Sequence, residues 1–377
     1  MKRPTLIIIL FSLIASCSNK DNELKKQLLG EWKFEETIDL RKKQELNGLT
    51  LPPPIPTEYK LGYEFYENDS CDYKGGFFKW HETKDFEERF YEFIGVKTSY
   101  KIEKETLKIY DKNNNKWTNY HISDIKNDTL KVRVDDSTFQ LFSKVYKKSK
   151  LKDKVDAIIV SSSGCYGSCP ISDFYIKSDG YAIFNGKKYN SKNGYYLAKG
   201  TQTDFENILS LFERCQIDSM QNEYQATHTD DECVSVTFIK DNKIVKTVSD
   251  YGQVSQTEFI WAYTQSRFYY QKLNLVSAKN IDTILPKEIY GFQTTNQIIR
   301  LEDSERFYLG LEFAKALKVP SIKKNLTFQA QGWNGEGYDK IETDGKLIKY
   351  KGSTYDIGYN FIEKNLKHKI KDKEIFD

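Results

Sequence analysis

Histidine is scarce in this chain, with four in 377 residues: His81, His121, His228 and His368. A metal centre built from clustered histidine, cysteine and carboxylate ligands has little to draw on. Only His228, in Thr227-His228-Thr229-Asp230-Asp231-Glu232, stands beside acidic residues, and a polar loop explains that cluster equally well. Calcium-loop spacing is missing. Ser161-Ser162-Ser163-Gly164 lacks the glycine pattern of a nucleophile elbow. Gly332-Trp333-Asn334-Gly335-Glu336-Gly337 lacks the lysine and the strand-to-helix setting of a phosphate loop. No cofactor, no metal ligand and no catalytic residue is therefore expected, and the chain reads as a non-enzyme more readily than as an enzyme. Charge of one sign is also lacking: 57 Lys+Arg against 54 Asp+Glu leave +3 without a basic block, so no nucleic-acid footprint appears.

Long apolar runs are absent except at the start. Met1-Lys2-Arg3 is basic, Leu6 to Ala15 is apolar apart from Ser12, and Ile14-Ala15-Ser16-Cys17 closes the segment with small residues. That run is too short for the ~20 residues of a spanning helix, and small residues at its end suit a removed signal peptide. Ile14-Ala15-Ser16-Cys17 resembles the lipobox of bacterial lipoproteins. The resemblance implies cleavage after residue 16, acylation (palmitate chemistry) of Cys17, and membrane lipid as the first partner. Several acyl chains make a stable anchor where one binds marginally. The expected location is the cell envelope, lipid-anchored in the outer membrane of a Gram-negative bacterium. Residues 17–27 are polar and read as a flexible lipidated tether. Lys20-Asp21-Asn22-Glu23 resembles an acidic export signal for surface display, so the periplasmic and surface faces both stay open.

With Cys17 given to lipid, Cys71, Cys165, Cys169, Cys215 and Cys233 remain in an oxidising compartment. Cys165 and Cys169 lie in a tight glycine- and proline-containing loop and can close a small disulfide. Their spacing does not match the C-x-x-C of thioredoxin-like sites, and a redox or nucleophilic pair is the alternative. Cys215 at a helix end and Cys233 at a strand start form a second, weaker pairing. Cys71, in the turn Asp69-Ser70-Cys71-Asp72, is then a half-buried thiol.

What the chain does have is aromatics, 26 Tyr and 23 Phe, in short alternating runs that suit half-buried strands. Mainly β structure with α+β parts follows. The first domain, residues 28–148, opens at Leu29-Gly30-Glu31-Trp32 and carries a Pro-rich insertion, Leu51-Pro52-Pro53-Pro54-Ile55-Pro56. Strand-like runs follow at Tyr63–Tyr66, Phe90–Ile94, Tyr100–Ile102, Leu107–Tyr110, Trp117–Ile122, Leu130–Val134 and Phe139–Phe142. Turn clusters such as Lys126-Asn127-Asp128-Thr129 separate them, which suggests a meander that closes on itself. Gly30-Glu31-Trp32 followed by such a meander resembles the small lipocalin-like domains of bacterial lipoproteins. The resemblance implies an antiparallel β-barrel with Trp32 packed as its structural, end-closing residue. It also implies either an apolar ligand inside or an interior filled by side chains.

The second domain, residues 152–275, reads as strands at Asp156–Val160, Phe174–Lys177 and Tyr181–Phe184, with turns at Asp179-Gly180 and Asn185-Gly186. A helix follows from Asp204, capped by Thr203 and Glu206, with Phe205, Ile208, Leu209 and Phe212 on one face. A hairpin turns at Asp241-Asn242, and a last helix is capped by Ser255 and Glu258. The order gives an antiparallel sheet with two helices on one face. Gly164-Cys165-Tyr166-Gly167-Ser168-Cys169-Pro170, with Asp179-Gly180 and Asp250-Tyr251-Gly252, resembles an uncharacterised bacterial family that carries a G-C-[YF]-G-x-C-P loop. That family has no activity to carry over.

A small α+β region, residues 280–377, completes the chain: a helix over Ser304–Lys318, strands at Leu326–Gln331, Lys346–Tyr350 and Ile357–Ile362, and a frayed tail from Lys364. Thr343-Asp344-Gly345 echoes Ser178-Asp179-Gly180, read as recurring hairpin chemistry and not as duplication. Trp333, in its glycine-rich loop, is a candidate ligand contact for a glycan or a protein. The function expected is that of a lipid-anchored envelope protein, a binding or interaction module for an apolar small molecule, an envelope protein or a glycan. The alternatives are an enzyme or thiol-redox protein centred on Cys165 and Cys169, and a purely structural lipoprotein.

Overall fold

The computed structural model describes residues 20–41, 61–83, 89–146, 155–278, 289–322, 325–331 and 337–373. The segment expected to be a signal peptide, Cys17, the Pro-rich insertion and Trp333 lie outside them. The described residues fall into two compact units, one holding most of residues 1–148 and one holding residues 149–377 with the short stretch Trp80–Glu92. No described helix is long and apolar enough to cross a membrane.

The first unit is a closed eight-stranded barrel in simple meander order. Its strands are β1 (Gly30–Asp39), β2 (Gly62–Phe65), β3 (Ser70–His81), β4 (Phe90–Glu103), β5 (Thr106–Asp111), β6 (Lys116–Lys126), β7 (Thr129–Arg133) and β8 (Thr138–Val145). Closure pairs β1 with β8 and leaves no free edge. Alternation is clean where it was read from sequence: Leu107, Ile109, Leu130 and Val132 point into the core, while Lys108, Lys131 and Arg133 do not. β3 was not anticipated, because Lys74, Gly75 and Gly76 interrupt its apolar pattern. The two runs at Phe90–Ile94 and Tyr100–Ile102 are one long strand, β4. Cys71 is fully buried on β3, not half-buried in a turn.

Trp32 is 1% exposed, and its indole N–H donates to the Leu28 carbonyl (2.6 Å). Around it Phe65 meets Tyr100 edge-on at 4.9 Å, and Tyr63 lies 6.1 Å from Phe142, so aromatic side chains occupy the interior. Fixed packing of this kind contributes beyond the area buried.

The tether expectation is corrected from residue 20 onward: residues 20–28 form a helix, α1, whose Leu24 and Leu28 join the barrel core. The cause is local. Lys104 and Glu105 both take positive φ in the β4–β5 turn, a conformation that neither side chain favours. The Asp21 carboxylate accepts from both of their amides, at 2.9 and 3.0 Å, and holds the turn. Lys20 pairs with Glu105 and Lys25 with Asp69.

The second unit holds two eight-stranded sheets. The first is formed by β9 (Ala157–Ser162), β10 (Ile171–Lys177), β11 (Tyr181–Lys188), β12 (Gly194–Lys199), β13 (Glu223–Gln225), β14 (Cys233–Lys240), β15 (Lys243–Tyr251) and β16 (Val276–Ser277), in the order β13-β15-β14-β9-β10-β11-β12-β16. Asn185-Gly186 is not a turn. The strand runs through it, since Asn185 is buried against Asp173 and a Cβ at Gly186 would lie 2.0 Å from the Lys192 carbonyl. Helix α2 (Gln202–Phe212) is capped by Thr201 with Asp204, two residues earlier than the Thr203–Glu206 reading. Helix α3 (Thr257–Arg267) has no side-chain cap, because the Ser255 hydroxyl bonds Asp250 instead. α2 and α3 cover one face through pairs such as Phe212–Phe238 (5.2 Å).

The other face is also covered, which corrects the picture of helices on one face only. A single core joins Ala157, Ile159, Tyr175 and Ile239 to Phe307, Leu311, Phe328, Ile348 and Leu366, so residues 280–377 do not stand apart. They comprise β17 (Gly291–Gln293), β18 (Gln297–Arg300), α4 (Asp303–Ala314), β19 (Leu317–Val319), β20 (Phe328–Gln331), β21 (Gly337–Thr343), β22 (Leu347–Tyr350), β23 (Ser353–Asp356), the turn of helix Ile362–Leu366 and β24 (Lys371–Asp372). The helix expected to reach Lys318 stops at Ala314 and passes into β19. Ile357–Ile362 is no strand: it leads into a helical turn whose Leu366 is buried, so the tail is packed as far as β24.

Replacing Asp21 by Ala leaves the two strained turn amides without their acceptor. An expected loss of about 1–2 kcal/mol in barrel stability follows. Urea unfolding, monitored through the barrel tryptophans, measures it, and an unchanged midpoint would mean that α1 does not hold the turn.

Candidate functional site

The ends of β9 and β15 and the starts of β10 and β14 lie at one end of the first sheet of the second unit, because adjacent strands run antiparallel there. Three connections therefore meet at that end: residues 163–170, 226–232 and 252–256. Cys165 and Cys169 are joined by a disulfide with a Cα separation of 5.6 Å. The Tyr166 amide donates to the Asp230 carbonyl (2.9 Å), and the Ser162 hydroxyl donates to the Pro170 carbonyl (2.7 Å). The loop is thus held at both feet and its middle. The Tyr166 side chain stands 90% exposed.

The neighbouring connection, residues 226–232, ends in a buried ionic brace. Glu232 accepts from Arg267 (2.6 Å) and from the Gln253 amide (3.3 Å), and its carbonyl accepts the Gly252 amide (3.1 Å). Gly252 has φ +77, and a Cβ there would lie 2.5 Å from Ala226 Cβ, so the Asp250-Tyr251-Gly252 turn requires glycine at its end. Asp250 is fully buried and accepts from the amides of Val254 (2.9 Å) and Ser255 (3.2 Å), from the Ser255 hydroxyl and from the Tyr263 hydroxyl (3.1 Å). Burial pushes its carboxyl above the ordinary aspartate value, and these four donors oppose the shift. Removing one partner of a buried ion pair such as Glu232–Arg267 typically costs about 3–5 kcal/mol, so the brace is structural. Sequence reading missed it, since Glu232 and Arg267 lie 35 residues apart.

The expected Cys215–Cys233 disulfide is corrected: both residues keep thiols. Cys215 is buried at the end of α2 with its Sγ 3.7 Å from the Leu211 carbonyl, and Cys233 lies on β14 opposite Tyr251. Burial, with Glu302 and Asp250 nearby, pushes the Cys233 thiol up to about 12, and burial with Asp72 does the same at Cys71. Neither supplies a thiolate at neutral pH. His228 turns to Asp231 (3.2 Å), and among the described residues no group of three or more His, Cys, Asp or Glu is placed to hold a metal ion. Trp32 belongs to the barrel core and not to this end; Cys17 and Trp333 lie outside the described residues.

A second polar feature was also missed. Asn185, Asp173, Ser161, Ser235 and Ser249 sit directly opposite one another across β11, β10, β9, β14 and β15, all buried. Asp173 accepts from Asn185 and Lys187, both at 2.9 Å, and Ser235 Oγ accepts the Ser304 amide at the start of α4 (2.9 Å). Each of these residues reads in sequence as the polar half of an alternating strand. Only the register shows that they form one row.

A family model described as a domain of unknown function (DUF6438) matches residues 156–269, the stretch from the start of β9 to the end of α3. No curated protein and no solved structure matches the chain.

The raised Asp250 carboxyl gives a signed pH dependence. The folded state holds this proton more tightly than the unfolded chain does. Its contribution is therefore most favourable below the ordinary aspartate value, and stability falls as pH rises from there through the raised value. In thermal melts across the mildly acidic range, Asp250→Asn is expected to lack this component of the slope. A variant whose melting profile parallels the parent at every pH would show that Asp250 does not titrate in this way.

Proposed function

We propose that this chain is a lipid-anchored protein of the bacterial cell envelope that works by binding another envelope protein, with the loop closed by Cys165 and Cys169 as its contact surface. The observation that carries the reading is Tyr166, 90% exposed on a backbone pinned by the disulfide and by Asp230. A large amphipathic ring on a preorganised loop loses little freedom on binding, and tyrosine is enriched among residues that dominate protein interfaces. Other features favour this over the alternatives. The barrel interior is occupied by Trp32, Phe65, Tyr100 and Phe142, which disfavours an apolar cargo. The disulfide sits between two strands and not at a helix N-terminus, where a thiol would be activated for redox chemistry. Cys17 supplies the anchor through its lipobox, in the outer membrane as the envelope location read from the sequence.

The anchor is tested by metabolic labelling with an alkynyl fatty acid: label is expected on the parent and lost in Cys17→Ser. The contact is tested by placing a photo-crosslinking phenylalanine analogue at position 166, with position 134 (44% exposed) on the barrel as control. A discrete adduct from position 166 alone supports the reading. Cys165→Ser with Cys169→Ser is expected to lower stability by about 2 kcal/mol for so short a loop and to weaken the adduct. Equal adducts from both positions, or an adduct indifferent to the double replacement, would sink the proposed contact. Turnover of a dithiol substrate lost in the same double variant would establish the redox alternative.

A further inference from the structure

The two sheets of the second unit have the same strand order once the sequence numbers are set aside. The first reads β13-β15-β14-β9-β10-β11-β12-β16, and the second, taken from its other edge, β24-β18-β17-β20-β21-β22-β23-β19. Each is a four-strand antiparallel meander (β9 to β12; β20 to β23) whose first strand pairs antiparallel with the first strand of a hairpin (β14–β15; β17–β18). Each hairpin leads into a helix, α3 or α4, and then into a short strand that pairs antiparallel with the fourth meander strand: β16 on β12, β19 on β23. Each meander leads into a helix, α2 or Ile362–Leu366, and then into a short strand beside the second hairpin strand: β13 on β15, β24 on β18. Only the direction of this last strand differs, parallel in one and antiparallel in the other.

Atomic detail agrees at the one place where the sequence echoes itself. Asp179-Gly180 and Asp344-Gly345 occupy equivalent turns, between the second and third meander strands, although the flanking register differs: Ile176 faces Ala182 and Thr343 faces Ile348. The Asp179 carboxylate accepts the Tyr181 amide and the Asp344 carboxylate accepts the Lys346 amide, each at 2.9 Å. Gly180 and Gly345 have φ +82 and +95. The Gly180 carbonyl accepts the amide of Gly200, and the Gly345 carbonyl accepts that of Phe361, in both cases from the residue that leads into the helix after the meander. A hairpin chemistry that merely recurs would not reproduce that long-range bond.

We infer that residues 289–372 are a second copy of the fold of residues 157–277, with its meander and hairpin halves joined in the opposite order, and that the face of the first sheet which it covers is a docking face for a copy of the same fold. The docking is head-to-tail: the helical side of the second copy, α4 and Ile362–Leu366, lies against the first sheet opposite α2 and α3. The buried polar row registers it, through the Ser304 amide on Ser235 and the Ser304 hydroxyl on Thr237 (2.8 Å).

Matched cross-strand cysteine pairs in the full chain test the repeat: Leu197→Cys with Val276→Cys in the first copy, and Leu317→Cys with Asp356→Cys in the second. Both pairs face each other in register and are expected to oxidise in the folded chain. Failure of either pair in a chain that melts like the parent overturns the shared strand order. Hydrogen exchange on the unsubstituted chain gives an independent reading should a variant not fold: the Gly200 and Phe361 amides are both expected to be protected, and rapid exchange at either overturns the equivalence. The docking face is tested by a protease site inserted within residues 279–288. After cleavage the two pieces are expected to co-elute and melt together, and separation without denaturant overturns the docking.

Discussion

Helix α4 is the constraint on which the second unit depends. It is enclosed between two sheets, and Phe307, Tyr308, Leu309, Leu311 and Phe313 are all buried, so it has no solvent face of the kind a surface helix presents. Its first turn is fixed by polar contacts and its body by apolar ones. The Ser304 amide, which an α-helix leaves without an internal acceptor, is satisfied by Ser235 of the neighbouring sheet. A buried serine row costs desolvation unless it is bonded, and here part of its bonding comes from the helix end. The two sheets are therefore not interchangeable layers pressed together by hydrophobicity alone. Direction and depth of docking are specified by a few hydrogen bonds within a large apolar contact.

The boundary of the family match is accordingly not a physical one. Residues 156–269 contain the first sheet apart from β16, and the two helices on one of its faces. They leave Ala157, Ile159, Tyr175 and Ile239 to be covered by residues that follow. The disulfide loop belongs to the end of that sheet and is bonded to Asp230 and Cys233, on either side of the Glu232 that pairs with Arg267, so the exposed Tyr166 stands on a fixed backbone.

Much of the architecture was legible in the chain. Alternation at Leu107–Ile109 and Leu130–Val132, with turn residues between, was enough to give a closed meander. Asp179-Gly180 and Asp241-Asn242 marked true turns because their positive φ values are what those residue types accept. Asn185-Gly186 misled for the same reason: the pair is favourable in a turn, yet a buried partner, Asp173, and a close backbone approach at Lys192 overrode local preference. Residues 20–28 read as a tether because their composition is polar. Their helix is held by Asp21 on a turn more than 80 residues away, a contact that no local pattern encodes. The same holds for the site. The loop and its cysteines were visible as a motif, whereas the Glu232–Arg267 brace and the polar row exist only through register.

Head-to-tail stacking has a geometric peculiarity: unlike a two-fold contact, it does not close on itself. A copy that offers its helices to the sheet before it presents its own sheet to whatever comes next, and identical faces would continue the stack into a fibre. In this chain the outward side of the second sheet carries Gln329, Glu342 and Lys349 across neighbouring strands, whereas the covered face of the first sheet sets Ala157, Ile159, Tyr175 and Ile239 beside its polar row. The second sheet thus offers a charged surface, with Lys349 paired to Glu342, that differs in chemistry from the face that receives α4.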